Sequence, residues 1–178
     1  LKLRKYLLAI AILGTAFGGF KYWEKETLLS VVPRGFGVSK IIYRAEESWG
    51  FGPGGNETGL IIFELPKSTA EKIVEEGKSY LESTRQNNGF GESWRGSYEA
   101  WYQTPVLLEG DGGGPNRTRD YEIAHYLDRY GFGILIAPDI EQEINDSLSK
   151  PGCYLAWGRI GFLLVIPKAK KVVFAYNG

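Results

Sequence analysis

Four carboxylates, Glu92, Glu99, Glu109 and Asp111, lie among Trp94, Tyr98, Trp101 and Tyr102. Two acids beside an aromatic wall are the parts with which glycosidases cleave sugars, and aromatic faces also hold sugars without chemistry. The commoner role of such rings is to anchor loops and core. His125 is the one histidine, with Glu122 and Asp128 three residues to either side. A histidine so flanked serves as a general base, a pH sensor or a member of a surface charge network. A zinc centre needs several His or Cys ligands, and the chain has one of each, so no metal site is expected. The Gly-x-Ser-x-Gly turn that presents a serine nucleophile is not in the sequence.

Two glycine-rich stretches invite a ligand. In "EGDGGGPNRTRD", Glu109, Asp111, Asn116 and Asp120 offer hard oxygen donors, but position 113, where an EF-hand loop alternates ligands, is glycine. In "SWGFGPGGNETG", residues 48 to 59, consecutive glycine N–H groups suit an anion nest. No Lys-Ser/Thr follows as in a P-loop, and the stretch leads into an apolar strand pattern rather than a helix, against a dinucleotide fingerprint. A long turn between strands accounts for its glycines. As a recognition loop it would use Trp49 and Phe51 for contact area and Asn56 and Glu57 for polarity. Asn56-Glu-Thr and Asn116-Arg-Thr also match the glycosylation tripeptide, which is too common by chance to carry weight.

Composition narrows the field. Lys plus Arg equals Asp plus Glu, 21 against 21. Three of those bases, Lys2, Arg4 and Lys5, precede the first apolar run, which leaves 18 against 21 for the rest. Such a body has no electrostatic attraction for DNA or RNA. Cys153 stands alone, so no intramolecular disulfide forms, and "KPGCYLAWG" suits a small buried residue better than a nucleophile.

The elements that would position these residues follow from periodicity. "GVSKIIYRA" (37–45) and "GLIIFEL" (59–65) read as strands joined by the glycine-rich loop, the second apolar on both faces and therefore central. Ser68 with Glu71 forms a capping-box pattern that opens a helix over 68–84, with Ala70, Ile73, Val74, Gly77 and Leu81 on one face. Residues 85–117 read as loop with a short strand near 100–108. Ile123, Ala124, Leu127 and Tyr130 mark a second helix that stops at Gly131, and "GILIAP" (133–138) reads as a brief strand. A third helix has Asp139 as N-cap, Ile140, Ile144 and Leu148 inside, and Lys150-Pro151-Gly152 as its end. Strands 159–166 and 171–176 flank Pro167–Lys170, with Pro167 at the second turn position. The expected fold is α+β, a mainly antiparallel sheet of about four to five strands with about three helices, behind an N-terminal hydrophobic helix.

That N-terminal segment, "LKLRKYLLAIAILGTAFGGFKYW", sets a basic tip before an uncharged run from Tyr6 to Phe20. The order is that of a signal peptide or an N-terminal membrane anchor over residues 1–23, leaving 24–178 as one extracytoplasmic domain. Tyr22 and Trp23 would sit at the bilayer interface, so residues 6–23 are the expected membrane contact. The expectation is therefore an exported or tethered binding domain, without cofactor, that offers Trp49, Phe51, Asn56, Glu57, Trp94, Trp101 and Tyr102 to a protein partner or complex subunits. A small extracytoplasmic hydrolase using the loop carboxylates is the alternative.

Overall fold

The computed structural model describes residues 2–49, 56–84, 95–109, 119–131 and 133–177. The chain opens with α1 (Lys2–Leu29), a 3₁₀ turn (Arg34–Phe36) and the antiparallel hairpin β1 (Ile41–Trp49) and β2 (Asn56–Glu64). Next come α2 (Lys67–Glu76), α3 (Lys78–Ser83) and the two-residue strands β3 (Tyr102–Gln103), β4 (Leu108–Glu109) and β5 (Arg119–Asp120). α4 (Ile123–Leu127) and α5 (Pro138–Ser149) precede the closing meander β6 (Tyr154–Trp157), β7 (Gly161–Ile166) and β8 (Lys171–Asn177). The fold is α+β. Its main sheet has six strands in the order β1-β2-β8-β7-β6-β3, all antiparallel, and β4 pairs β5 separately.

The central strands bury both faces. Ile61, Phe174, Leu163 and Ala156 align across β2, β8, β7 and β6 on one face. Ile62, Val173, Leu164 and Leu155 align on the other. The first face is covered by Val31, Val32, Phe36, Ala70, Ile73, Leu81, Tyr98 and Trp101, the second by α4 and α5 through Ile123, Tyr126, Leu127, Ile144 and Leu148. Each face needs its own cover because an alternating strand that is apolar throughout has no side to give to water.

Several expectations change. The sheet gains a strand because β6 falls in "YLAW", which is too short to show a period. The helix over 68–84 is two helices. Gly77, at φ 59, breaks it, with the Tyr154 hydroxyl 2.9 Å from where a Cβ would stand. No capping box forms: the helix starts at Lys67 behind Pro66, one residue before Ser68, so Ser68 is already helical. Val74 faces solvent. Likewise Pro138, not Asp139, opens α5, and Asp139 with Glu141 adds negative charge to its first turn, where the helix dipole favours it. Residues 133–137 pair with no strand, Leu135 is exposed, and Ala137 N–H donates to Tyr43 Oη at 3.1 Å. In the β7–β8 turn Lys170 N–H donates to Pro167 O at 3.0 Å, which puts Pro167 first rather than second.

One cross-strand row explains two glycines. Glu46, Gly59, Tyr176 and Gly161 stand side by side on β1, β2, β8 and β7. The Tyr176 ring lies over Gly59, where a Cβ would come within 2.4 Å of it, and its hydroxyl donates to Glu46. At Gly161 a Cβ would meet the Ala175 carbonyl oxygen at 2.1 Å. Backbone cannot yield as a side chain can, so Gly161→Ala should cost about 1–3 kcal/mol. Thermal unfolding checks this: the midpoint falls for Gly161→Ala and does not fall for Gly14→Ala, where a Cβ meets nothing within 4 Å.

Candidate functional site

The largest uncovered apolar surface among the described residues belongs to α1. Its last two turns are fixed to the body. Leu28 and Leu29 pack on the core, Glu24 takes Arg44 Nη1 at 3.0 Å, Arg95 Nη1 donates to Thr27 O at 3.1 Å, and the buried Tyr98 hydroxyl donates to Val31 O at 2.7 Å. Arg95 therefore sets a cation against the carbonyl end of the helix, the end its dipole makes negative. Every residue from Leu13 to Trp23 is exposed, Phe17 at 65 % and Trp23 at 63 %. Phe20 and Trp23 touch each other, with ring centroids 6.1 Å apart. At 1.5 Å per residue the 28 residues of α1 reach about 42 Å. Among the described residues no helix is long and apolar enough to cross a membrane.

Among the described residues, those expected to bind a partner do not form one surface. Trp49 and Asn56 pair at the tip of the β1–β2 hairpin, only their backbone being described, and Glu57 beside them is exposed opposite Ser48. Phe51 and Trp94 lie outside the described residues. Trp101 is 1 % exposed and packs against Phe36 and Tyr98, so it is core and has no surface to offer. Tyr102 is 50 % exposed on β3, at the opposite edge of the sheet from β1. Five strand spacings separate those edges, about 24 Å.

The acids fare similarly. Glu92 and Asp111 lie outside the described residues, as does the Glu109 side chain, while Glu99 is exposed and its N–H donates to Trp157 O at 2.8 Å. Along α5 runs a cleft of ≈ 600 Å³ in which two of the carboxylates are engaged, Glu143 with Lys171 at 2.6 Å and Asp146 with Lys150 at 3.1 Å. The Lys150 ammonium holds the Asp146 carboxyl below its usual range. Cys153 at the cleft wall is buried, and burial pushes its thiol up, away from the reactive thiolate. No group of three or more His, Cys, Asp or Glu among the described residues is placed to hold a metal ion.

His125 sits on the exposed side of α4. Its Nδ1 lies 2.6 Å from Asp120 Oδ2 and its Nε2 3.5 Å from Glu122. Asp120 also takes the Glu122 N–H at 3.0 Å, and Asn145 of α5 takes that of Ile123 at 2.9 Å, so two of the free N–H groups at the start of α4 are satisfied. This is a charge network that caps a short helix. No protein-family model, curated protein or solved structure matches the chain.

The hydrogen bond to Asp120, helped by the charges of Glu122 and Asp128, raises the His125 pKa. A raised folded pKa stabilises the protein fully below the unfolded value, about 6.5, and that contribution disappears as pH rises through the folded value. His125 being the only histidine, its ring-proton NMR titration is unambiguous. The midpoint should lie above 6.5 and return toward it in Asp120→Asn. A midpoint unmoved by that change would mean the pair does not persist in solution.

Proposed function

We propose that the chain is a membrane-tethered, extracytoplasmic accessory domain: α1 enters lipid and the α+β body presents its exposed edges to a protein partner. The observation that carries this is the apolar stretch Leu13–Trp23, where Leu13, Phe17, Phe20, Tyr22 and Trp23 all stand exposed on one helix, whereas the exposed apolar side chains of the body, such as Val74 and Leu135, lie far apart in the sequence. A monomer in water rarely leaves so many large apolar side chains together on one helix. Lipid is the solvent that suits them. The order along the chain agrees: a basic tip for anionic head groups, an uncharged run, then Tyr22 and Trp23, whose rings prefer the interface. A basic tip before an apolar run is also the export address, which puts the body outside the cytoplasm. Glu57 and Tyr102, exposed at separate places, are the described residues left to meet a partner.

The test is flotation of the full chain with phosphatidylcholine vesicles. The native chain should float, and Phe17→Glu with Phe20→Glu should reduce partitioning by about a hundredfold or more, since each of the two rings withdrawn from lipid forfeits more than about 1.4 kcal/mol. The body's thermal midpoint should not change. A native chain that stays wholly with the aqueous phase rejects the tether. For the accessory role, a photo-crosslinking residue at position 102 or 57 should give a discrete adduct in the membrane fraction, and its absence at both counts against a partner.

A further inference from the structure

The geometry points to a second lipid contact at the root of α1: a headgroup site in which Lys25 and Arg34 hold the phosphate of a phospholipid. It rests on the membrane tether proposed above and names what the tethered body would grip. A cavity of ≈ 440 Å³ opens between the end of α1 and the turn that follows it. This is within the size range of small-molecule sites. Its lining joins the buried Val32 and the half-buried Leu29 and Val38 with two exposed cations, Lys25 and Arg34.

Those cations are distinctive in their setting. Nearby Lys21 pairs with Glu24, Lys40 with Glu64, and Arg44 with Glu24 and Glu46. Lys25 and Arg34 line the cavity and make no ion pair among the described residues. Glu26 in the same lining offsets one charge, so the cavity keeps an excess of one positive charge, matched to one phosphodiester. A guanidinium with an ammonium is a common pair for gripping phosphate oxygens.

Position selects a lipid over a free phosphate. Lys25 lies two residues beyond Trp23, roughly 3 Å farther along the helix axis. Trp and Tyr side chains settle at headgroup depth. Seating Phe20, Tyr22 and Trp23 in the bilayer therefore carries the cavity mouth to the phosphate layer. A lining that joins apolar side chains with exposed cations suits a molecule with a charged head and a greasy continuation.

The experiment uses the full chain and vesicles of phosphatidylcholine with and without phosphatidylglycerol. The native chain should bind the phosphatidylglycerol vesicles more tightly. Lys25→Gln with Arg34→Gln should weaken that binding by about a hundredfold, roughly tenfold for the charge-assisted hydrogen bond lost at each position. Lys168→Gln with Lys170→Gln, on the distant β7–β8 turn, should change it little. Both pairs sit at the surface, and equal thermal midpoints confirm that the variants fold. Soluble glycerol phosphate should not shift the Ser39 amide resonance in the cavity lining.

Undiminished binding by Lys25→Gln/Arg34→Gln, or an equal loss in the control pair, overturns the headgroup site and leaves the tether standing. Tight glycerol phosphate binding makes it a free-phosphate site and overturns the lipid assignment. A native chain that binds neither vesicle overturns both.

Discussion

The architecture follows from strands that are apolar on both faces. β2, β7 and β8 place Leu60–Phe63, Phe162–Val165 and Val172–Ala175 out of water altogether. Two adjacent residues in a strand point to opposite sides, so such strands are stable only between two layers. The pairing of β2 with β8 brings the N-terminal hairpin onto the C-terminal meander, and the segments between them then cover both faces. The last turns of α1 are part of one cover. This fixes the helix at its C-terminal end, and the residues before Glu24 extend beyond the edge of what there is to cover.

How firmly α1 is held depends on what is buried. The chain of polar contacts from Tyr176 to Glu46, Arg44 and Glu24 links β8, β1 and α1. Its ion pairs are partly open to solvent and contribute modestly each. The Tyr98 hydroxyl on Val31 O is different: it is buried, and burial pushes the phenol far above its usual pKa, so it stays a neutral donor at any physiological pH. Removing it would leave a buried carbonyl without its partner, the costlier kind of loss. Leu28, Leu29, Val31 and Val32 add apolar contact on the same side. The attachment is thus a short packed joint, stiff enough to set the direction in which the body faces.

Much of this was legible in the residues. "GLIIFEL" announced a central strand because it lacks a polar face, and β2 is central. The β7–β8 hairpin and the inner stripe Ile140, Ile144, Leu148 of α5 follow from apolar period, although Pro167 takes the first turn position rather than the second. What failed was local signal set against long-range geometry. Ser68 and Asp139 are good caps, but Pro66 and Pro138 fix the chain direction one step earlier. Gly77 looked like one more small residue on a helical face, and its positive φ became visible only with the backbone. β6 has four residues, too few for a period, and exists because β7 offers it an edge. Trp101 was read as a contact residue because aromatic loops often bind. Its partners Phe36 and Tyr98 are distant or close in sequence without any pattern that foretells a core.

Charge pairing separates the parts of the surface that are finished from those that are not. Around α5 and along β1 the pairs Glu143–Lys171, Asp146–Lys150 and Glu46–Arg44 engage acids with bases, and a carboxylate already engaged by an ammonium is a poor general acid, as the lowered Asp146 pKa illustrates. The same logic makes His125 a structural partner of Asp120. Where α1 leaves the body the balance changes. Apolar side chains stand without cover on α1, and the cavity at its root keeps an excess of one positive charge after Glu26 offsets one of its two cations. Either feature alone is common on protein surfaces. Set in that order along α1 and the turn that follows it, apolar first and cationic next, they match the depth profile of a bilayer leaflet from acyl chain to phosphate, which is the physical reason for proposing lipid as the neighbour.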